Sequence, residues 1–358
     1  MTFFRAIKMT GPAVLALFGC GTDGTDPTVG PATRTFRMGF SGFPPRPEFD
    51  LAVQAIEAWS SRADIAIVHE ELPWAELLVG TPPDSILRRE KDGLISYYRS
   101  KGFKLVFIAD ANDGLARERE APQLRNAGRS LTEAAIQRLY RDWIGAFVRR
   151  YRPEFVGLAA ETNLIRLAAP RALYDAVVTV TNAAAADLRA GPNPPQLFVS
   201  VQVEVAWGRL IGQTPYQGIE ADFRDFPFLD LLGLSSYPYF GWADPADLPD
   251  DYYSRLLASR PTRVMIVEGG WASASAGSFV TTPAKQAAYF RRQTRLLAKT
   301  NPVAWLQLAP TDIDVAAFPV PLQASIMPFA TLGVFDALLR PKPALAVWDS
   351  LFGVPYRP

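Results

Sequence analysis

From Thr35 onward the chain alternates short apolar runs rich in β-formers with longer stretches whose apolar residues recur at helical spacing. Eight runs stand out. They are FRMGFSGF at 36–43, DIAIVHE at 64–70, FKLVFIAD at 103–110, EFVGLAAETN at 154–163, QLFVSVQVEV at 196–205, LDLLGLSSYPY at 229–239, RVMIVEGGW at 263–271 and PVAWLQLAP at 302–310. Alternation of this kind predicts a parallel sheet covered by helices. Between the runs, Ser130 and Glu133 are spaced as a capping box, and Ile136, Leu139, Tyr140, Trp143, Phe147 and Val148 form one apolar helical stripe. Thr282 before Pro283 reads as an N-cap followed by proline at the first helical position. Eight units of roughly 40 residues each predict a single-domain (β/α)8 TIM barrel. An open doubly wound sheet is the competing arrangement, but it calls for a glycine-rich phosphate turn, and neither GxGxxG nor GxxxxGK occurs.

In such a barrel the reactive side chains sit just past the C-terminal ends of the strands. The fourth run ends in Ala160, Glu161, Thr162 and Asn163, the sixth in Ser235, Ser236, Tyr237, Pro238 and Tyr239, and the seventh in Glu268, Gly269, Gly270 and Trp271. Three units separate Glu161 from Glu268, which sets two carboxylates across the barrel mouth from one another. That is the equipment for glycoside hydrolysis, where one carboxyl is kept protonated for the leaving oxygen and the other stays ionised. Trp271, Trp305 and the nearby tyrosines offer flat apolar faces and polar tips for a sugar. The glycines after Glu268 are expected to leave room above it. Gln202, Glu204 and Trp207 are placed to extend the cleft from the fifth run. His69, Glu70 and Glu71 end the second run as substrate contacts or a rim cluster, and Asp110, Asn112 and Asp113 read as turn chemistry, a substrate rim or a calcium loop. The arginine pairs Arg149, Arg150 and Arg291, Arg292 are expected on solvated outer helix faces.

Composition narrows the chemistry. Of 358 residues, 49% are hydrophobic and 20% charged, as in a folded soluble domain, and a net charge of +1 leaves no footprint for nucleic acid. His69 is the only histidine and Cys20 the only cysteine, so zinc sites and histidine triads lack side chains to draw on; VHEELPW has no second histidine for HExxH. No cofactor or catalytic metal is expected. Residues 1–20 carry Arg5 and Lys8, the apolar run GPAVLALFG and then Cys20, the order of a bacterial lipoprotein signal in which Cys20 is lipidated. Residues 21–34 then form a flexible tether and 35–358 the barrel. The expected location is secreted or on the cell envelope, with membrane contact only through the lipid, and the expected state is a monomer.

The strand-end glutamates, the YPY of the sixth run, EGGW, the tryptophan of the eighth run and the closing GVFDALLRPKPALAVW resemble clan A glycoside hydrolases. The nearest likeness is to the family 53 endo-β-1,4-galactanases. The resemblance implies a retaining β-glycosidase acting on an extracellular polysaccharide or oligosaccharide, with Glu161 as acid/base and Glu268 as nucleophile. It implies that Tyr237 hydrogen-bonds the nucleophile and that Trp305 lies under the sugar. It also exposes a departure: the clan has asparagine immediately before the acid/base, where this chain has Ala160. Asn163 is the candidate to take over that 2-hydroxyl contact. The alternatives are a substrate that differs at C2, or a barrel that binds sugar and cuts it poorly. A transglycosylase using the same pair is a lesser alternative.

Overall fold

The computed structural model describes residues 33–210, 214–276 and 279–358. The leader, Cys20 and nearly all of the expected tether lie outside the described residues. Each of the eight runs contains a strand: β1 Arg37–Ser41, β2 Ile65–Glu71, β3 Lys104–Asp110, β4 Phe155–Gly157, β5 in two pieces (Gln196–Phe198 and Ser200–Gln202), β6 Leu232–Ser236, β7 Arg263–Gly269 and β8 Asn301–Gln307. All neighbours pair in parallel. The first piece of β5 pairs with β4 and the second with β6, so the two ends of the sheet are consecutive parts of one strand and the ring closes. The fold is a (β/α)8 TIM barrel.

Helices wrap the ring because each presents one apolar stripe to it. The helix Ala134–Tyr151 buries Ile136, Tyr140, Trp143 and Phe147, as its spacing predicts. It begins later than the capping box suggests: Glu133 accepts the Ser130 N–H at 2.7 Å, yet the bond closes a turn ahead of the helix. Thr282 does cap the helix Pro283–Leu297, accepting from the Lys285 N–H at 3.3 Å. Two of the arginines expected on solvated faces are paired, Arg150 with Asp92 at 2.6 Å and Arg292 with Asp250 at 2.7 Å. Among the described residues no helix is long and apolar enough to cross a membrane.

The first and last segments of the barrel meet at its N-terminal face. Arg34, expected in the tether, is buried; it bridges to Tyr356 and pairs with Asp64 at 2.6 Å just before β2, so the folded unit starts one residue earlier than its composition suggests. At the opposite, C-terminal face, a short hairpin after β3 (Asn112–Asp113 with Ala116–Glu120) and the segment after β8, with its helix Val320–Ile326, rise beside the mouth.

Candidate active site

Two local devices aim the carboxylates. In β7 the pairing with β6 runs Ile266 to Leu234 and then Glu268 to Ser235, which leaves Val267 as an extra residue. Strict alternation would turn Glu268 to the face of Ile266, toward the helices. The bulge resets the parity and brings Glu268 level with Ser235, whose hydroxyl donates to it at 2.6 Å. Glu161 is the turn between β4 and the helix Thr162–Ala168, and it sits in the left-handed region at φ 50°, ψ 47°. A non-glycine residue pays strain there and persists only where its surroundings hold it. Here the Glu161 N–H donates to the Ser200 hydroxyl at 2.9 Å, and Thr162 donates to Asp222 at 2.7 Å.

Gly269 and Gly270 hold the end of β7 in place for a different reason from the one expected. A Cβ on Gly269 would overlap the Ser236 carbonyl, and one on Gly270 would overlap the Gln307 side chain. The pair lets β7 press against both neighbouring strands at positive φ, 150° and 146°.

Around the carboxylates lies a buried charge network. The Tyr237 hydroxyl donates to Glu268 at 3.0 Å. The other Glu268 oxygen faces His69 Nδ1 at 3.1 Å and Arg117 Nη2 at 4.0 Å. His69 Nε2 and Arg117 Nη1 converge on Asp110 Oδ2 at 3.2 and 2.9 Å, and Arg117 Nε lies 3.6 Å from Glu161. Both glutamates are thus within 4.0 Å of one guanidinium. Burial works against the charge on His69, but its bonds to Asp110 and Glu268 prevail and lift it to about 9, so it is a cation at neutral pH. Burial also opposes ionisation of Glu268, yet His69, Arg117 and Ser235 together lower it to about 2. Glu161 is raised to about 7 by burial, with the nearby Glu268 charge adding to the effect and Arg117 opposing it. Two cations already face two anions, Asp110 and Glu268, so ionising Glu161 would add an uncompensated buried charge.

The other predicted site residues divide. Gln202 lines the cavity beside Glu161, with its amide held by Glu204 at 2.7 Å and by the Val205 N–H at 2.9 Å. Asn163 is fully buried, and its amide bonds both backbone groups of Gln202, at 2.9 and 2.8 Å. It ties the loop after β4 to β5 and does not take over the contact missing at Ala160. Trp305 is fully buried against Phe290 and Trp348, between the ring and its helices, so it forms no platform in the cleft. Its partners Met38 and Ile266 share that face by register. Trp271 is also buried, donating to Thr281 at 2.8 Å, and Trp207 donates to the Tyr252 carbonyl at 3.0 Å; neither borders the cleft. Glu204 is fully buried behind Gln202, where Tyr252 donates to it. Glu70 and Glu71 border the cleft, paired with Lys91 and the Gly114 N–H. Asp113 accepts from the Leu115 N–H at 3.1 Å, which is turn chemistry. Among the described residues no group of three or more His, Cys, Asp or Glu is arranged to hold a metal.

Sequence reasoning missed Arg117. Its only signal is the alternation ARERE at 116–120, which reads as a solvated edge and instead turns one arginine inward from the hairpin.

The site is thus a closed barrel with two glutamates bordering one cavity at its mouth. Solved structures of similar fold include an exo-β-1,4-mannosidase, Op5Man5, from Opitutaceae bacterium strain TAV5, with a TM-score of 0.64 and 16% identity over 89% of this chain and 59% of that one. They also include GH5_18 from Bifidobacterium longum subsp. longum, at 0.59 and 15% over 91% and 82%, and the Ruminococcus gnavus β-glucuronidase, at 0.55 and 13% over 88% and 49%. The chain thus spans about half the length of that β-glucuronidase. No family model matches the chain, and no curated protein does.

Proposed function

We propose that the barrel is a retaining β-glycosidase. The observation that carries this reading is that two carboxyl groups lie within 4.0 Å of one guanidinium in surroundings that differ: His69, Ser235 and Tyr237 bond Glu268 and hold it ionised, while Glu161 is pushed up by burial and by the Glu268 charge. Glu268 attacks the anomeric carbon while Glu161 gives its proton to the departing oxygen. Water then attacks the glycosyl ester as Glu161 takes a proton back, which releases Glu268. Tyr237, Ser235 and His69 hold the nucleophile ionised and aligned. The galactanase likeness of the motifs makes galactosides the first substrates to try, and the mannosidase and glucuronidase neighbours add mannosides and glucuronides. A second reading, a sugar-binding protein that cuts poorly, is favoured by Ala160 and by the engagement of Asn163 with Gln202. The leader-like segment supports export with a lipid on Cys20.

The test is hydrolysis of a panel of β-glycosides with the product anomer followed by NMR. The first-formed sugar should keep the β configuration, and Glu268→Gln and Glu161→Gln should each lower kcat/KM by about a thousand-fold or more. An inverted product, or full activity in either variant, would remove the assignment. Binding without cleavage across the panel would favour the second reading.

A further inference from the structure

Two cavities meet at Glu268, and their chemistries differ. One, of about 430 Å³, is bordered besides Glu268 by His69, Glu70, Glu71, Lys91, Tyr98 and Asp110, and by Arg117, which borders both cavities. The other, of about 320 Å³, contains Glu161, and its walls are largely Leu164, Leu210, Phe240, Ile313, Ile326 and Phe329. Of the other polar groups there, the Gln202 amide is engaged by Glu204 and the Val205 N–H, the Tyr237 hydroxyl by Glu268, Arg117 by Asp110 and the two glutamates, and Glu118 by Arg119; Ser325 is the remaining one.

The chemistry orients a substrate between them. Glu268 borders both cavities and so marks the anomeric carbon, while the acid must lie beside the oxygen that departs. The leaving group therefore enters the Glu161 cavity and the sugar enters the ionisable one. A sugar as leaving group would bring hydroxyls into a lobe with few free partners for them, which is costly, whereas an apolar group gains from leaving water. The entrance is apolar too. Leu210 borders this cavity at 38% exposure and Leu115 borders both cavities at 51%, and Val320 and Met327 stand exposed on the segment that supplies Ile326. Apolar side chains gathered in water at a site entrance mark a surface that is covered in use.

We propose that the leaving group of the substrate is apolar, an alkyl chain or hydrocarbon ring system, and not a second sugar; this rests on the glycosidase reading of Glu161 and Glu268. It replaces the polysaccharide expected from the motifs with a glycoside of an apolar alcohol.

The experiment uses β-glycosyl fluorides of galactose, mannose, glucose and glucuronic acid to find the accepted sugar, since fluoride leaves without occupying the apolar lobe. For that sugar, the n-octyl glycoside, the methyl glycoside and a β-1,4-linked disaccharide are compared. The octyl glycoside should exceed both others in kcat/KM by ten-fold or more. Leu210→Asn and Leu115→Asn, at exposed positions where little packing is lost, should lower the octyl-to-fluoride ratio five-fold or more. A disaccharide cut as well as the octyl glycoside, with fluoride turnover intact, overturns the inference and leaves the glycosidase reading standing. An unchanged ratio in both variants overturns it too. If the wild type turns over no fluoride and no glycoside, the glycosidase reading falls and takes the inference with it.

Discussion

Glu161 and Glu268 have the same side chain, and their surroundings push them apart: the His69 cation lies 3.1 Å from Glu268 and holds it ionised, while burial and the Glu268 charge keep the proton on Glu161. On the proposed double-displacement mechanism the competent form has Glu161 protonated and Glu268 ionised, so kcat/KM should be bell-shaped in pH, with the pair's apparent limbs near 2 and 7. Activity is lost above the upper limb because the acid has given up its proton, and below the lower limb because the nucleophile has gained one. His69→Asn removes a cation 3.1 Å from Glu268, so the carboxylate is less stabilised and the acidic limb should move up by about one pH unit or more. A pH–rate profile of the variant with an unmoved acidic limb would show that His69 does not hold the charge. That the two glutamates lie at the barrel mouth was legible because both follow the ends of barrel strands. The role of His69 was not, since nothing in VHEELPW says that its ring reaches across the mouth to β7. Arg117 was hidden further, in a hairpin insertion that lies outside the repeating unit.

At the scale of elements, the apolar runs announced every strand of the barrel, though not those of the hairpin, because parallel strands are buried on both faces. Which face a residue takes is harder to read. Trp305 has the composition of a sugar platform, but register with Met38 and Ile266 turns it to the helices. Glu268 would share that fate without the extra residue Val267, and a one-residue bulge leaves no compositional mark. The same closeness of strands makes a stability prediction. Gly269→Ala places a methyl group on the Ser236 carbonyl at a φ that side chains rarely adopt, and should destabilise the fold by about 2–4 kcal/mol, read from the urea midpoint. A loss under about 0.5 kcal/mol would mean that β6 and β7 can separate freely there.

For the whole molecule, closure has two seams. One is chemical continuity through β5, where a single strand serves both ends of the sheet. The other is non-covalent: the Arg34 guanidinium bonds the Val354 and Phe36 carbonyls at 3.2 and 2.8 Å as well as Asp64, and the Arg34 carbonyl accepts from the Arg357 N–H at 2.9 Å. Arg34→Ala breaks this buried set and should cost about 2–4 kcal/mol with little change in kcat, because the mouth lies at the other face. A melting temperature equal to that of the parent would show that the seam carries no load. Since the first and last residues of the barrel lie side by side, its starting point is a matter of gene order and not of architecture. A short peptide joining Arg34 to Tyr356 would make the barrel circular, and the ring could then be opened at an exposed turn such as Gly128 with every strand keeping both neighbours.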